Sequence, residues 1–188
     1  MSILFGLTPF IVFFLLMRWS TPLLALAGAA AMSAILMGRM ALRGGNIKIL
    51  EVGSLILFAL LTLYTLSMHP DWSIAGVRLA VDGGLALIVL FSLAIRRPFT
   101  LQYARESVPE QFWTHPLFIR TNNIISAVWA VNFLISAGCD AVAIYFPMVP
   151  VSALVGLTIG AFVAAIWFST WYPAYVRRSL PRAAGAPG

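Results

Sequence analysis

Residues 73–95 read SIAGVRLAVDGGLALIVLFSLAI, and this stretch decides the fold. Only Arg78 and Asp82 interrupt its apolar run, which closes on Arg96-Arg97-Pro98. As an α-helix it measures about 34 Å, enough to cross a hydrocarbon core of about 30 Å. A soluble protein could bury such a run only if the rest of the chain supplied a polar coat. Here 61% of the 188 residues are hydrophobic and 10% are charged, against about 25% charged in an ordinary soluble domain. The apolar content excludes a disordered chain. A disulfide scaffold is excluded because Cys139 is the only cysteine. The predicted class is an all-α integral membrane protein.

Working outward, the other charge-free runs cover residues 1–17, 21–38, 52–68, 121–139 and 151–176. Together they predict a polytopic transmembrane helix bundle of five or six spans, because about 20 apolar residues suffice for each. The first run carries Gly6 and Pro9 and lies close to the second. It reads either as a short or tilted span or as a re-entrant segment. Residues 1–178 form one transmembrane domain, and the Pro-, Gly- and Ala-rich residues 179–188 read as a disordered cytoplasmic tail.

Twelve Lys and Arg face six Asp and Glu, for a net charge of +6. The basic residues sit at the ends of apolar runs, so the excess reads as positive-inside bias and not as a nucleic-acid surface. Arg39, Arg43, Lys48, Arg96, Arg97, Arg105, Arg120, Arg177, Arg178 and Arg182 fall on one side of the membrane, leaving Arg18 and Arg78 at or toward the other. That asymmetry assigns the first side, and the C-terminus, to the cytoplasm.

The segment between spans four and five is the only long cytoplasmic connection. Arg96, Arg97, Pro98, Tyr103, Arg105 and Trp113 mix basic and aromatic groups. They fit an interfacial segment that meets anionic lipid or a protein partner. A plain amphipathic connector is the other reading. Ser107 and Glu110 have the spacing of a capping box.

Within the membrane, Arg78 and Asp82 are four residues apart and can pair on one helix face. An ionisable group about 14 Å into a span is a candidate functional group. Asn132, Ser136 and Asp140 form a polar stripe at the same spacing in the fifth span. The two sets read either as interhelical glue or as a polar path for a proton, ion or solute. Ser152, Gly156, Gly160 and Ala164 form a small-residue ridge in the last span, suited to close packing within the chain or between chains.

His69, His115 and Cys139 are too scattered for a metal or haem cluster. HExxH, GxSxG and a Gly-rich phosphate loop are lacking, so the chain reads as non-enzymatic and without cofactor.

Several of these residues together resemble a known pattern. Leu7-Thr8-Pro9-Phe10 precedes Val12-Phe13-Phe14, and a later span ends near His69. Arg96-Arg97-Pro98, Pro109, Trp113 and Asn122-Asn123 follow, leading to Trp129-Ala130-Val131-Asn132-Phe133. In this order the chain resembles the intracellular septation protein A family of bacterial inner-membrane proteins, over roughly residues 5 to 178. Trp129 and Arg96-Arg97-Pro98 match its recurrent positions, whereas Asp82 departs from its pattern. The resemblance implies a bacterial inner-membrane location and a role in cell-envelope maintenance and septation, through contacts with other envelope proteins. It supplies no catalytic residue. The expectation is a non-enzymatic membrane protein acting through helix packing and partner contacts. The alternative is a small transporter or channel with a polar path through Asp82, Asn132 and Asp140.

Overall fold

The computed structural model describes residues 6–179. The described chain is all-α: α1 Thr8–Trp19, α2 Pro22–Leu42, α3 Ile49–Met68, α4 Ile74–Ala94, α5 Phe99–Ala104, α6 Pro116–Tyr145 and α7 Val151–Ser179. Two 3₁₀ turns, Arg105–Ser107 and Glu110–Phe112, connect α5 to α6. Helices α2, α3, α4, α6 and α7 are each long and apolar enough to cross a membrane, so the chain is a membrane-embedded bundle with five such helices among the described residues. Helix α1 has 12 residues, about 18 Å, which is shorter than a bilayer core. Arg182 and the expected disordered tail lie outside the described residues, apart from Ser179 at the end of α7.

Local chemistry sets the helix ends. Thr21 and Ser73 cap α2 and α4, their side chains accepting from the amides of Leu24 (3.4 Å) and Gly76 (3.0 Å). Pro22 and Pro116 occupy first turns, where a missing amide hydrogen costs nothing. Helix α4 ends in a Schellman motif. The Arg97 amide donates to the Ser92 carbonyl and the Arg96 amide to the Leu93 carbonyl, both at 2.9 Å. Arg96 takes the left-handed position, φ 56°, that glycine usually fills. Pro98 then prevents the helix from continuing.

The helices pack in series, each against the next, with α4 on α6 and α6 on α7. Helix α1 lies over the row, and Phe10 and Phe13 meet Phe58 of α3 with ring centroids at 5.0 and 5.8 Å. Gly84 lets α4 approach α3 closely, since a Cβ there would collide with Leu57. Helix α7 stands apart. Only 6% of its span is buried, against 44% for α6.

Helix α5 departs from the expected interfacial placement. Phe99, Thr100, Leu101 and Tyr103 are buried, so α5 closes the basic end of the bundle as a plug. The Thr100 hydroxyl donates to the Asn122 carbonyl (2.9 Å) and meets the Ser126 hydroxyl (2.8 Å). Gln102 accepts from the Ile49 amide at 2.8 Å. These bonds draw the segment inward. Pro98 and Tyr103, expected to face lipid or a partner, are therefore covered. Arg96 and Arg97 remain exposed, while Arg105 lies over the Trp113 ring at 5.5 Å. The capping box does not form, because Ser107 ends one 3₁₀ turn and no side chain caps the next.

Candidate intramembrane polar site

Helices α4 and α6 share the most extensive contact in the bundle. Their seam gathers the intramembrane polar residues expected from the sequence. Asp82 is 1% exposed, Asn132 and Asp140 are each 3%, and Ser136 is 0%. The spacing of 132, 136 and 140 puts these three on one face of α6, and that face turns to α4. One expected pairing is corrected. Arg78 binds Asp140, with Nη2 to Oδ1 at 3.2 Å, and not Asp82 on its own helix. Four residues of helix place Arg78 and Asp82 on one face, but a facing carboxylate one helix away intercepts the guanidinium. The Asp82 carboxyl adjoins that of Asp140, and the Arg78 guanidinium also lies over Phe14 of α1 at 5.8 Å.

The stripe on α6 divides into two halves of different character. Toward the basic end, Asn122 donates to the Phe118 carbonyl (2.9 Å) and Ser126 meets Thr100. These groups are satisfied, and they hold α5 in place. Toward the other end, Asp82 Oδ2, Asp140 Oδ2, Ser136 Oγ and both side-chain polar atoms of Asn132 are buried with no hydrogen-bond partner. Several hydroxyls elsewhere in the spans close on their own helix. Ser33 donates to the Ala29 carbonyl (2.9 Å), Ser54 to Leu50 (2.6 Å) and Thr65 to Leu61 (2.8 Å). Ser136 makes no such bond. Buried polar atoms are nearly always paired, so this cluster is the candidate functional group of the seam.

Between the halves, Trp129 donates its indole N–H to Ser169 of α7 at 3.0 Å. Its ring packs on Phe133 and Phe162, with centroids at 5.5 and 6.1 Å. This aromatic group separates the satisfied half from the unsatisfied one and holds α7 to α6. Beside it a cavity of about 380 Å³ opens between α1 and α7. Its wall is apolar except for Arg78, Asp82 and Thr158, and the Thr158 hydroxyl is also buried without a partner.

A second buried charge cluster was not foreseen. Lys48 at the start of α3 is buried, with its ammonium 2.7 Å from Glu106, 3.9 Å from Glu51 and 4.2 Å from the Tyr103 ring centroid. Burial pushes the Tyr103 phenol well above its ordinary value, and the nearby Glu51 and Glu106 carboxylates add to this. In sequence, Lys48 and Glu51 resembled charges bounding a span. Only their i, i+3 spacing hinted at pairing, and nothing local brought Tyr103 and Glu106 to them.

The small-residue ridge also lies where sequence could not place it. Ser152, Gly156, Gly160 and Ala164 all face away from the bundle. A Cβ on Gly156 or Gly160 would meet nothing within 4 Å. The ridge therefore does not pack α7 within the chain. Helix α7 is attached through the opposite face, by Ala165, Phe162 and Ser169.

No family model, curated protein or solved structure matches this chain.

Proposed function

We propose that the chain is a non-enzymatic multi-pass membrane protein whose α4–α6 seam binds and passes a small cation, in the first place a proton. One observation carries this reading: Asp82, Asp140, Ser136 and Asn132 present buried polar atoms without partners in the unsatisfied half of the seam. Two carboxyls face one guanidinium there. With both ionised, the seam holds one uncompensated negative charge in an apolar medium, which is costly unless a proton or cation balances it. Asp82 and Asp140 take up the charge, Arg78 orients Asp140, and Ser136 and Asn132 extend the polar line along α6. The test is proton or ion flux into proteoliposomes. Asp82→Asn should abolish it, and unchanged flux in that variant, or none in the wild type, sinks the reading.

A second reading is favoured by the outward ridge on α7. Here the chain acts as an envelope or septation-associated membrane protein, packing through Ser152, Gly156, Gly160 and Ala164 against other envelope membrane proteins or a second copy. Close helix approach at small residues is a common basis of association in lipid. The exposed Arg96 and Arg97 would meet anionic lipid. The ten-to-two distribution of basic residues supports a cytoplasmic C-terminus, and the resemblance noted above implies a bacterial inner membrane. Cross-linking in membranes that recovers only monomers, unchanged by Gly160→Leu, counts against this role. A periplasmic signal from a reporter at Gly188 counts against the orientation.

A further inference from the structure

The cavity between α1 and α7 has a polar end, an apolar wall and a side opening. Its volume, about 380 Å³, falls in the range of about 300 to 1,000 Å³ usual for small-molecule sites. Ile11, Val155 and Ile159 line it and are also exposed on the membrane-facing surface. An apolar molecule can therefore enter from the bilayer without crossing water. Among the described residues Asp82 is the one acidic residue in the wall, where it lies beside Arg78 and adjoins Asp140 behind it. Trp129 and Phe162 also line this space, and aromatic rings attract cations.

We infer that this cavity is a binding site for a hydrophobic organic cation, whose charge meets Asp82 and whose apolar body fills the space between α1 and α7. The inference rests on the reading of the seam as a cation site and names its substrate class. The charge balance is the reason for a cation. Asp82 and Asp140 together exceed Arg78 by one negative charge. A proton compensates that excess in the empty site, and a monovalent organic cation compensates it in the filled one. Binding of the cation thus releases one proton, and the two compete for the same charge. Among the described residues, the charged groups acting on Asp82 are Arg78 on its own helix and Asp140 on α6. A neutral molecule of the same shape would leave the excess charge uncompensated, and an anion would add to it.

The experiment is equilibrium binding of tetraphenylphosphonium to the purified full-length protein in lipid nanodiscs, with a pH dye in weak buffer. The expected result is saturable binding that weakens as pH falls, with about one proton released per cation bound. Asp82→Asn should weaken binding at least tenfold. Ile159→Trp, at an exposed position where folding is not at stake, should weaken it similarly by filling the cavity. Neutral triphenylphosphine oxide should not compete. Wild-type affinity in both variants, or equal competition by the neutral compound, overturns the inference. Asp82-dependent proton flux without phosphonium binding overturns it too, while leaving the reading of the seam intact. Loss of both signals overturns both.

Discussion

The Arg78 guanidinium on α4 binds the Asp140 carboxylate on α6 at 3.2 Å, so this intramembrane ion pair joins two helices and does not brace one. Asp82, four residues from Arg78, stands beside that pair as a second carboxyl. The two aspartates should therefore respond differently to substitution. Asp140→Ala removes the carboxylate that Arg78 binds directly and should cost about 3 kcal/mol, because breaking a buried pair is expensive. Asp82→Asn removes a like charge beside Asp140 and should leave stability unchanged or raise it. Thermal unfolding in detergent compares the two. Equal destabilisation would mean that Asp82 shares the pair.

Helix α7 is held through few groups, and Trp129 is central among them. Ser169→Ala would leave the buried indole N–H without its acceptor, at a cost of about 1 to 3 kcal/mol. The expected consequence is local: faster amide exchange in α7 with little change in α2 and α3. Trp129→Phe with Ser169→Ala should be milder than the added single effects, because both polar partners are then gone.

Arg96 occupies a left-handed backbone position with its side chain exposed. Arg96→Gly relieves that strain and should stabilise the protein by about 1 kcal/mol, read as a higher unfolding midpoint. A lower midpoint would show that the guanidinium makes a compensating contact at the membrane surface.

Two glycine positions in the spans have opposite surroundings. Gly84→Leu must push Leu57 of α3 aside and should cost about 1 to 3 kcal/mol. Gly160→Leu meets open space, so the monomer should keep its stability. Under the packing reading it should lose association, measured by cross-linking yield in membranes. Intact association in Gly160→Leu would remove the ridge from that role.

Tyr103 makes the plug helix α5 sensitive to alkali. Its phenol in the folded protein ionises above the ordinary 10.0, from burial first and then from Glu51 and Glu106. The undocked phenol ionises first. Stability from docking is thus complete below pH about 10 and falls above it, by up to about 1.4 kcal/mol per unit until the docked phenol also titrates. Tyrosinate absorbance and α5 proteolysis should show this onset in the wild type. In Tyr103→Phe the proteolysis onset should disappear.

The spans were legible in the linear chain because a membrane helix is a local object. It closes its backbone hydrogen bonds within itself, and about 20 apolar residues suffice to declare it. The run at 73–95 needed no partner to be recognised, nor did the face shared by Asn132, Ser136 and Asp140, which follows from helix period alone. The partner of Arg78 was not legible, because Asp140 lies 62 positions away in the chain and only packing of α4 on α6 brings it near. Periodicity showed that Ser152, Gly156, Gly160 and Ala164 share a side of α7, but not whether that side faces the bundle. Composition likewise placed Tyr103 with amphipathic neighbours, and the Thr100 and Gln102 bonds to α6 and α3 turned it inward. Period and hydropathy act along one helix, whereas pairing and burial depend on which helix comes to lie beside it.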